Sequence, residues 1–317
     1  MGSRFILRST KLINMTPDTE SKGTLAVLTA TFLSGLNVYL LRIGTAFIPQ
    51  ISFVSVALTI AGFMLLTASI ILGKGPAILR GRNHIAKFLW IGVIGTSVPV
   101  VMIAYGVSLS TVSNSFLLQT EFIYSMLLSY MLLRERITGE QILLTVLSFL
   151  GVVLILTDGV IKTINIGDVL FLASPLFYQL AHVVAKGVLR KVDPLVVVMY
   201  RLLIGGLTLL LISVVLGHDP SSEISSSSQA ISVTFYTSLS FSLANSLWYY
   251  GVKHINLSKA TSIMIAYPFV SAFLAVFMIG EALSSVTIIG ASLVFVSTFR
   301  LSQVRSISRE HVADRSK

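Results

Sequence analysis

Cysteine is absent from this sequence, and charged residues are scarce. Among its 317 residues, Asp, Glu, Lys and Arg make up only 11%, whereas a soluble protein carries about 25%. The absence of cysteine excludes disulfide bonds, thiolate metal sites and cysteine nucleophiles. The low charge, with 54% hydrophobic residues and a mean hydropathy of +0.88, predicts a protein that crosses a membrane several times.

Motifs for nucleotide hydrolysis and hydrolytic catalysis are also missing. The stretch GKGPAILRGR at 73–82 lacks the Lys-Ser/Thr ending of a phosphate-binding loop. The sequence contains no HExxH zinc motif and no GxSxG nucleophile motif with a triad. We therefore expect a protein that is not an enzyme, with no catalytic residues, no bound metal and no cofactor. An intramembrane lipid-modifying enzyme is the weaker alternative.

Ten apolar runs are each close to the length of about 20 residues that crosses the hydrocarbon core of a bilayer. They lie at 24–47, 52–73, 88–108, 113–133, 140–158, 168–189, 195–217, 229–252, 258–280 and 284–302. The connection at 218–228, HDPSSEISSSS, has the polar composition of a loop. The predicted fold is therefore an all-α integral membrane protein with ten transmembrane helices.

The basic residues between the runs predict the orientation. If the N-terminus is cytoplasmic, the cytoplasmic segments carry 20 of the 23 Lys and Arg residues, and the outside segments carry only Lys162. Arg42 and Arg201 lie within runs. Because cytoplasmic loops of membrane proteins are enriched in Lys and Arg, both termini, 1–23 and 303–317, are expected to be cytoplasmic tails. This distribution explains the net charge of +10 without a nucleic-acid partner.

An internal repeat relates the two halves of the chain. The tripeptide Tyr-Gly-Val occurs at 105–107 and again at 250–252, which is 145 residues later. Pro49 and Pro194 precede apolar runs at the same spacing. With one inserted residue, the register continues and pairs Glu135 with Glu281 and Glu121 with Tyr267.

The repeat predicts a symmetric architecture. The halves 24–158 and 168–302 each contain five runs. Because five is an odd number, the second half must enter the membrane in the opposite orientation. Inverted repeats are typical of secondary transporters, which bind substrate near the midplane between the halves.

Several motifs of the two halves resemble those of the drug/metabolite transporter superfamily, in particular its EamA-type ten-helix permeases. The motifs are SGLN at 34–37, the repeated Tyr-Gly-Val, LRERIT at 133–138, IGEALS at 279–284 and Arg201. The resemblance covers residues 24–302. It implies a multi-pass protein of the plasma or inner membrane that exports small metabolites, amino acids or drug-like organic cations.

Glu121 is the carboxylate nearest the middle of an apolar run. An acidic residue at the centre of a membrane helix costs about 2.5 to 3.5 kcal/mol, so it normally faces protein or water. Glu121 could therefore act as a proton relay or as the counter-ion of an amine substrate. The structural alternative is a hydrogen bond to a neighbouring hydroxyl or an ion pair with Arg42.

A polar stripe follows the run at 168–189 with a four-residue spacing, formed by Ser174, Tyr178, His182 and Lys186. A polar stripe on a membrane helix should face a cavity rather than lipid. Gln179 flanks the stripe near mid-depth. Pro175 lies beside it and could kink the helix. His182 could accept a proton, although a packed hydrogen-bonding histidine is the more common case.

Three further side chains are candidates for substrate contact. Asn37 lies near the middle of the first run and could bind substrate or form a hydrogen bond across helices. Asn245, with Trp248 and Tyr249, could line an inner vestibule, or the aromatic residues could belong to the interfacial belt. Tyr267 corresponds to Glu121 in the repeat, and its hydroxyl could bond either substrate or a helix backbone.

Four residues are expected to be structural or gating rather than substrate-binding: Glu135, Glu281, Pro175 and Pro268. Taken together, the sequence predicts a secondary active transporter that works by alternating access around a central cavity. That cavity is expected between the first, third, fourth, sixth, eighth and ninth spans. The expected partners are a small-molecule substrate and membrane lipid, with proton coupling and homodimer formation open. An uncoupled exchanger or uniporter is the alternative.

Overall fold

The computed structural model of the protein is helical. The described residues are 17–121, 138–157, 165–189, 191–255 and 263–303, together with positions 123, 124, 127, 128, 131 and 260. No strand occurs within these residues. The expectation of an all-helical protein is confirmed for this part of the chain.

Twelve α-helices follow one another along the described ranges: α1 (Pro17–Gly44), α2 (Gln50–Ile71), α3 (Gly75–Gly81), α4 (Ile85–Gly92), α5 (Val98–Leu109), α6 (Gly139–Thr157), α7 (Ile166–Leu189), α8 (Pro194–Val215), α9 (Pro220–Ser225), α10 (Ser228–His254), α11 (Tyr267–Leu274) and α12 (Ser285–Gln303). Two 3-10 helices, Arg82–His84 and Ser113–Thr120, lie between them. Two π-helical turns, Val93–Ser97 and Ala275–Ile279, are also present.

Within the described residues, six helical stretches are long and apolar enough to cross a membrane: Glu20–Gly44, Gln50–Ile71, Gly75–Leu109, Gly139–Thr157, Ile166–Leu189 and Pro194–Val215. The apolar helices Tyr267–Ile279 and Ser285–Leu301 are shorter, and α10 is long but rich in serine. The predicted spans at 113–133 and 258–280 include residues outside the described ranges. The chain is thus a multi-pass membrane protein, and the count of ten spans stays a prediction.

The long helices pack in defined pairs. α1 lies against α10 and α11, whereas α7 lies against α5 and the 3-10 helix Ser113–Thr120. α2 packs on α8, and α6 packs on α12. The main buried cluster includes Phe53 and Leu58 of α2 with Val197 and Leu202 of α8. The pair α2–α8 therefore forms part of the main buried core.

The repeated Tyr-Gly-Val tripeptides lie at two close helix crossings. Gly106 of α5 faces Gly167 of α7, and Gly251 of α10 faces Gly23 of α1. A β-carbon placed on Gly167 would lie 2.9 Å from the Gly106 carbonyl oxygen, and one placed on Gly251 would lie 3.1 Å from the Gly23 carbonyl oxygen. Small residues allow membrane helices to approach this closely. The repeat is therefore retained where the third helix of each predicted half meets the first helix of the other.

The polar connection at 218–228 was expected to be a loop, but it contains the short helix α9. The Asp219 carboxylate accepts hydrogen bonds from the backbone N–H groups of Ser221 and Ser222, at 3.2 and 3.4 Å. Pro220 occupies the first turn, where a helix does not need the missing N–H. Hydrogen bonding by Ser222 holds the pKa of the Asp219 carboxyl below its usual value. Asp-Pro is thus a helix start within a serine-rich stretch.

Replacing Gly167 with alanine should destabilise the protein. The added β-carbon would lie 2.9 Å from both the Gly106 carbonyl oxygen and the Ser110 backbone nitrogen, so backbone must move. Overpacking of this kind costs about 1–3 kcal/mol. Gly187→Ala in the same helix is the control, because no atom lies within 4 Å of its added β-carbon. Thermal unfolding in detergent compares the two variants, and equal midpoints would contradict the close crossing.

Candidate functional site

A cavity of about 270 Å³ lies between the helices. Its lining includes all seven side chains that the sequence suggested for substrate binding or coupling: Asn37, Glu121, Tyr178, Gln179, His182, Asn245 and Tyr267. The expected spans surround it, and Leu58 of α2 and Arg201 of α8 add two more helices to its walls. The fold therefore gathers the candidate residues in one place, while their roles in transport stay predictions.

Glu121 directly follows the 3-10 helix Ser113–Thr120 and points its carboxylate at α7. Its Oε1 atom accepts a hydrogen bond of 2.5 Å from Nε2 of Gln179. The ion pair with Arg42 that was considered above is not formed. Arg42 Nη1 donates instead to the backbone carbonyl oxygens of Val107 and Ser108, at 2.7 and 3.3 Å. The partner of the carboxylate is thus an amide on a neighbouring helix.

Arg201 of α8 is a cavity residue that was not among the predicted site residues. Its side chain is 7% exposed. Nε donates to the Thr96 hydroxyl at 2.8 Å, and Nη2 donates to the Gly95 carbonyl oxygen at 2.9 Å. Both acceptors belong to the π-helical turn Val93–Ser97, and such turns within α-helices are frequent at functional sites. The signal in the sequence was an arginine inside an apolar run, which by itself suggests a functional residue.

Arg201 and Glu121, which belong to different helices, both line the cavity. The guanidinium carbon of Arg201 also lies 5.5 Å from the centroid of the Tyr178 ring, within the range of a cation–π contact. Tyr267 lines the same cavity as Glu121 and Tyr178. One cavity thus contains a carboxylate, a guanidinium and two phenol groups, together with uncharged polar side chains and apolar residues.

Asn37 of α1 is buried, with 6% of its side chain exposed. Its Oδ1 atom accepts no hydrogen bond from any described residue. Leaving a buried acceptor without a donor costs about 1–3 kcal/mol. Asn245 differs, because its Nδ2 atom donates to the Phe241 carbonyl oxygen of its own helix at 2.9 Å. Because that contact uses a donor of Asn245 and not its Oδ1 atom, the Oδ1 acceptors of both amides are suited to a hydrogen bond from a ligand in the cavity.

Gln119 is a second cavity residue absent from the predicted set. In the register that pairs Glu121 with Tyr267, Gln119 corresponds to Ile265. Its Nε2 atom donates to the Ile265 carbonyl oxygen at 3.0 Å, and the side chain is 3% exposed. The signal available in the sequence was an amide side chain two residues before Glu121, inside the same apolar run. The contact joins two positions that correspond to each other in the repeat.

His182, Trp248 and Met264 extend the cavity beyond Gln179 and Asn245. Trp248 also packs against the small cluster of Val27, Ile255 and Ala260, and both the vestibule and the interfacial-belt interpretation stay predictions. Tyr249 packs against the main core instead. Within the described ranges no three His, Cys, Asp or Glu side chains are grouped as metal ligands would be.

Pro175 lies inside α7 and disturbs its backbone hydrogen bonds. Proline has no N–H, so the Phe171 carbonyl oxygen loses its helical donor. The Ser174 hydroxyl donates to that oxygen at 3.2 Å, which places Ser174 away from the cavity. The Tyr124 hydroxyl donates to the adjacent Leu172 carbonyl oxygen at 3.0 Å. The proline region therefore joins α7 to the fourth predicted span. The side chain of Lys186 lies outside the described set.

Glu281 caps the 3-10 helix Ser113–Thr120. Its carboxylate accepts hydrogen bonds from the backbone N–H groups of Val112 and Ser113, at 3.1 and 3.2 Å, and from the Ser113 hydroxyl at 3.0 Å. This contact joins the ninth predicted span to the fourth. Pro268 lies in the first turn of α11. Glu135 lies outside the described residues, and gating by any of these residues stays a prediction.

The chain is similar to transporters of archaea and bacteria. An uncharacterized transporter of Archaeoglobus fulgidus is 27% identical over 283 residues, covering 88% of this chain and 97% of that protein. One from Methanothermobacter thermautotrophicus is 26% identical over 272 residues, covering 80% and 78%. The uncharacterized transporter YyaM of Bacillus subtilis is 24% identical over 248 residues, covering 74% and 79%.

A solved structure shares the fold of this chain, and a family model matches its sequence. A crystal structure with 18% sequence identity superposes with a TM-score of 0.63 over 94% of this chain and 99% of that one, which shows a shared fold. Residues 21–157 and 165–303 each match the model of the EamA-like transporter family. Because these two matches together span most of its length, the chain belongs to the EamA-like transporter family.

Proposed function

We propose that the protein is a secondary active transporter that exports small metabolites across the cell membrane by alternating access. The cavity that gathers Glu121, Arg201 and several uncharged polar side chains within apolar walls carries this proposal. Polar groups at membrane depth face a cavity rather than lipid, and secondary transporters bind substrate in such places. The family and the names of the relatives are those of transporters.

In this proposal, residues 24–158 and 168–302 are two inverted halves. The packing of α1 on α10 has its counterpart in α7 on α5. The packing of α1 on α11 has its counterpart in α7 on the 3-10 helix. An axis that exchanges the halves requires contacts in such pairs. These paired contacts support a central cavity that can open alternately to each side of the membrane.

Single cysteines should report the proposed orientation, because the chain has no cysteine of its own. Ser226 lies in a predicted outside connection and Asn83 in a predicted cytoplasmic one, and both are exposed. In intact cells, an impermeant maleimide should label Ser226→Cys, and it should label Asn83→Cys only after permeabilisation. The basis is the Lys and Arg distribution. Labelling of Asn83→Cys from outside would contradict the orientation.

Glu121 is the proposed coupling residue. Gln179 bonds one of its carboxylate oxygens, which leaves the second oxygen for a proton or for an ammonium group of the substrate. Inside apolar walls a carboxylate is costly unless it is neutralised. Release of the amine on the outer side, followed by binding of a proton there, and release of that proton on the inner side, followed by binding of a new amine, would couple export to proton entry.

Replacing Glu121 with glutamine should abolish the dependence of transport on a pH gradient. The amide cannot take up or release a proton at the pH values of a transport assay. It nevertheless keeps the size of the side chain and a hydrogen-bonding group opposite Gln179. Glu140→Gln is the control, because Glu140 is exposed and lies 3.5 Å from Arg300 outside the cavity. Transport in proteoliposomes with and without a pH gradient measures the effect. Unchanged gradient dependence in Glu121→Gln would remove Glu121 from coupling.

An uncoupled exchanger or uniporter is a second candidate. The observation that favours it is the Glu121–Gln179 hydrogen bond, because a purely structural carboxylate would make the same contact between helices. In that case wild-type transport would be independent of the pH gradient, and labelled substrate would still exchange in Glu121→Gln. The same proteoliposome assay therefore separates the two functions.

The pair of opposite charges favours zwitterionic substrates over purely cationic ones. A substrate ammonium group next to Glu121 would compensate the negative charge of the carboxylate. A substrate carboxylate next to Arg201 would compensate the positive charge of the guanidinium group. A lone amine would neutralise Glu121 and leave the positive charge of Arg201 without a negative charge in the cavity, which is costly. The volume of about 270 Å³ is at the lower end of ligand pockets, which suits small amino-acid-like metabolites.

Matched ligands should distinguish these charges. We expect an amino acid such as leucine to raise the unfolding temperature more than isoamylamine, which lacks its carboxylate, or 4-methylpentanoate, which lacks its amine. The same triplets built on valine and phenylalanine extend the test to other side chains. A ligand that binds only the folded state stabilises it by about 2.7 kcal/mol at a hundred times its Kd. Equal stabilisation by the amine and the amino acid in every triplet would exclude a carboxylate site at Arg201.

A further inference from the structure

A second cavity, of about 300 Å³, lies at one end of the bundle. It is formed by the segment after α2, by α3 and by the connection between α7 and α8. Its lining consists of Gly73, Lys74, Pro76, Ala77, Arg80, Lys191, Val192 and Asp193. Three of these residues are cations and one is a carboxylate, so the lining carries an excess of two positive charges.

The carboxylate of this cavity is already engaged. Lys74 Nζ lies 2.9 Å from Asp193 Oδ1, and the same oxygen accepts a hydrogen bond from the Leu195 backbone N–H at the start of α8. Arg80 and Lys191 are exposed and form no ion pair with a described carboxylate. The only hydrogen bond of the Arg80 side chain to another described residue joins Nε to the Pro76 carbonyl oxygen at 3.3 Å. The cavity therefore offers two uncompensated cations to an anion.

Its depth and surroundings indicate the kind of anion. α2 has 22 residues, which at about 1.5 Å per residue matches the roughly 30 Å of bilayer hydrocarbon. Lys74 follows three residues after the end of α2 and so lies at the level of the lipid headgroups. Ile71, Leu72 and Leu79, beside the cavity, are 78%, 62% and 64% exposed. Exposed apolar side chains next to cations suit a ligand that has both acyl chains and a phosphate.

We propose that this cavity binds the phosphate headgroup of an anionic membrane lipid. Arg80 and Lys191 hold the phosphate oxygens together with Lys74, and the acyl chains pack on the exposed apolar residues beside them. Clustered basic residues at a membrane surface attract such lipids. The site joins residues 73–80 of the first predicted half to 191–193 of the second. A bound lipid therefore stabilises the contact between the halves, independently of the transported substrate.

The test compares two double variants of the full chain in nanodiscs. Arg80→Gln with Lys191→Gln removes the two uncompensated cations of the cavity. Arg82→Gln with Lys87→Gln removes the same charge from exposed positions that do not line it. The readouts are the affinity for a fluorescent phosphatidylglycerol and the unfolding midpoint with phosphatidylcholine alone and with added phosphatidylglycerol.

The cavity variant should bind phosphatidylglycerol about 30-fold more weakly than the wild type, since each surface cation contributes roughly a factor of five. It should also lose most of the stabilisation by this lipid, while the control variant keeps both. Lys191→Gln alone should weaken binding about fivefold, and it replaces the double variant if that one does not fold in phosphatidylcholine.

Two results would overturn the proposal. One is equal loss of phosphatidylglycerol affinity in the cavity and control variants, which would indicate a diffuse surface charge. The other is stabilisation by soluble glycerol phosphate as large as that by phosphatidylglycerol, which would assign the cavity to a free phosphate compound. No effect of glycerol phosphate, with loss in the cavity variant alone, supports the lipid site.

Discussion

Glu121 and Arg201 lie within a bundle of apolar helices, where water cannot solvate a carboxylate or a guanidinium group from the lipid side. Each therefore has to find its compensation inside the protein. Gln179 bonds the carboxylate, and the π-helical turn Val93–Ser97 supplies acceptors to the guanidinium. These bonds join four segments, namely the helical segment of Glu121, α7, α8 and the π-helical turn, so the positions of the helices around the cavity depend on them.

The lipid surroundings also determine how the helices pack. Two apolar helices gain little from burying hydrophobic surface in lipid, so close approach and hydrogen bonds across helices hold them together. Gly106 and Gly251 permit the close approach at two corresponding crossings. Glu281 supplies three acceptor contacts at the start of the 3-10 helix. The repeated motifs thus lie where helices from different parts of the chain meet.

The two cavities have different chemical environments. The central one contains opposite charges within apolar walls, and a small molecule with both charges would match it. The second one has excess positive charge and lies beside exposed apolar residues at headgroup depth, where a lipid can supply the missing negative charge. The polar groups of one face the interior of the bundle, and those of the other face the membrane surface. A bound lipid would therefore act on the contact between residues 73–80 and 191–193 without entering the central cavity.

Much of the secondary structure followed from the sequence alone. An apolar run in hydrocarbon must satisfy its own backbone, and a helix does so within one segment. For this reason α2 and α8 begin and end within two residues of the predicted spans. The helix α9 was missed because serine-rich composition masked the capping signal of Asp219.

Seven residues of the cavity lining were proposed from the sequence, but Arg201 and Gln119 were not among them, and the contacts between these residues were not predicted. Polar side chains inside apolar runs must avoid lipid, so the sequence alone determined that residues such as Glu121, Asn37 and Gln179 would face the interior. It could not assign their partners, because spacing along one helix does not specify the rotation or depth of its neighbours. Only the tertiary structure decided that Glu121 meets Gln179 rather than Arg42, and that Arg201 completes the cavity. Both outcomes depend on how α7 and α8 pack against helices far away in the chain.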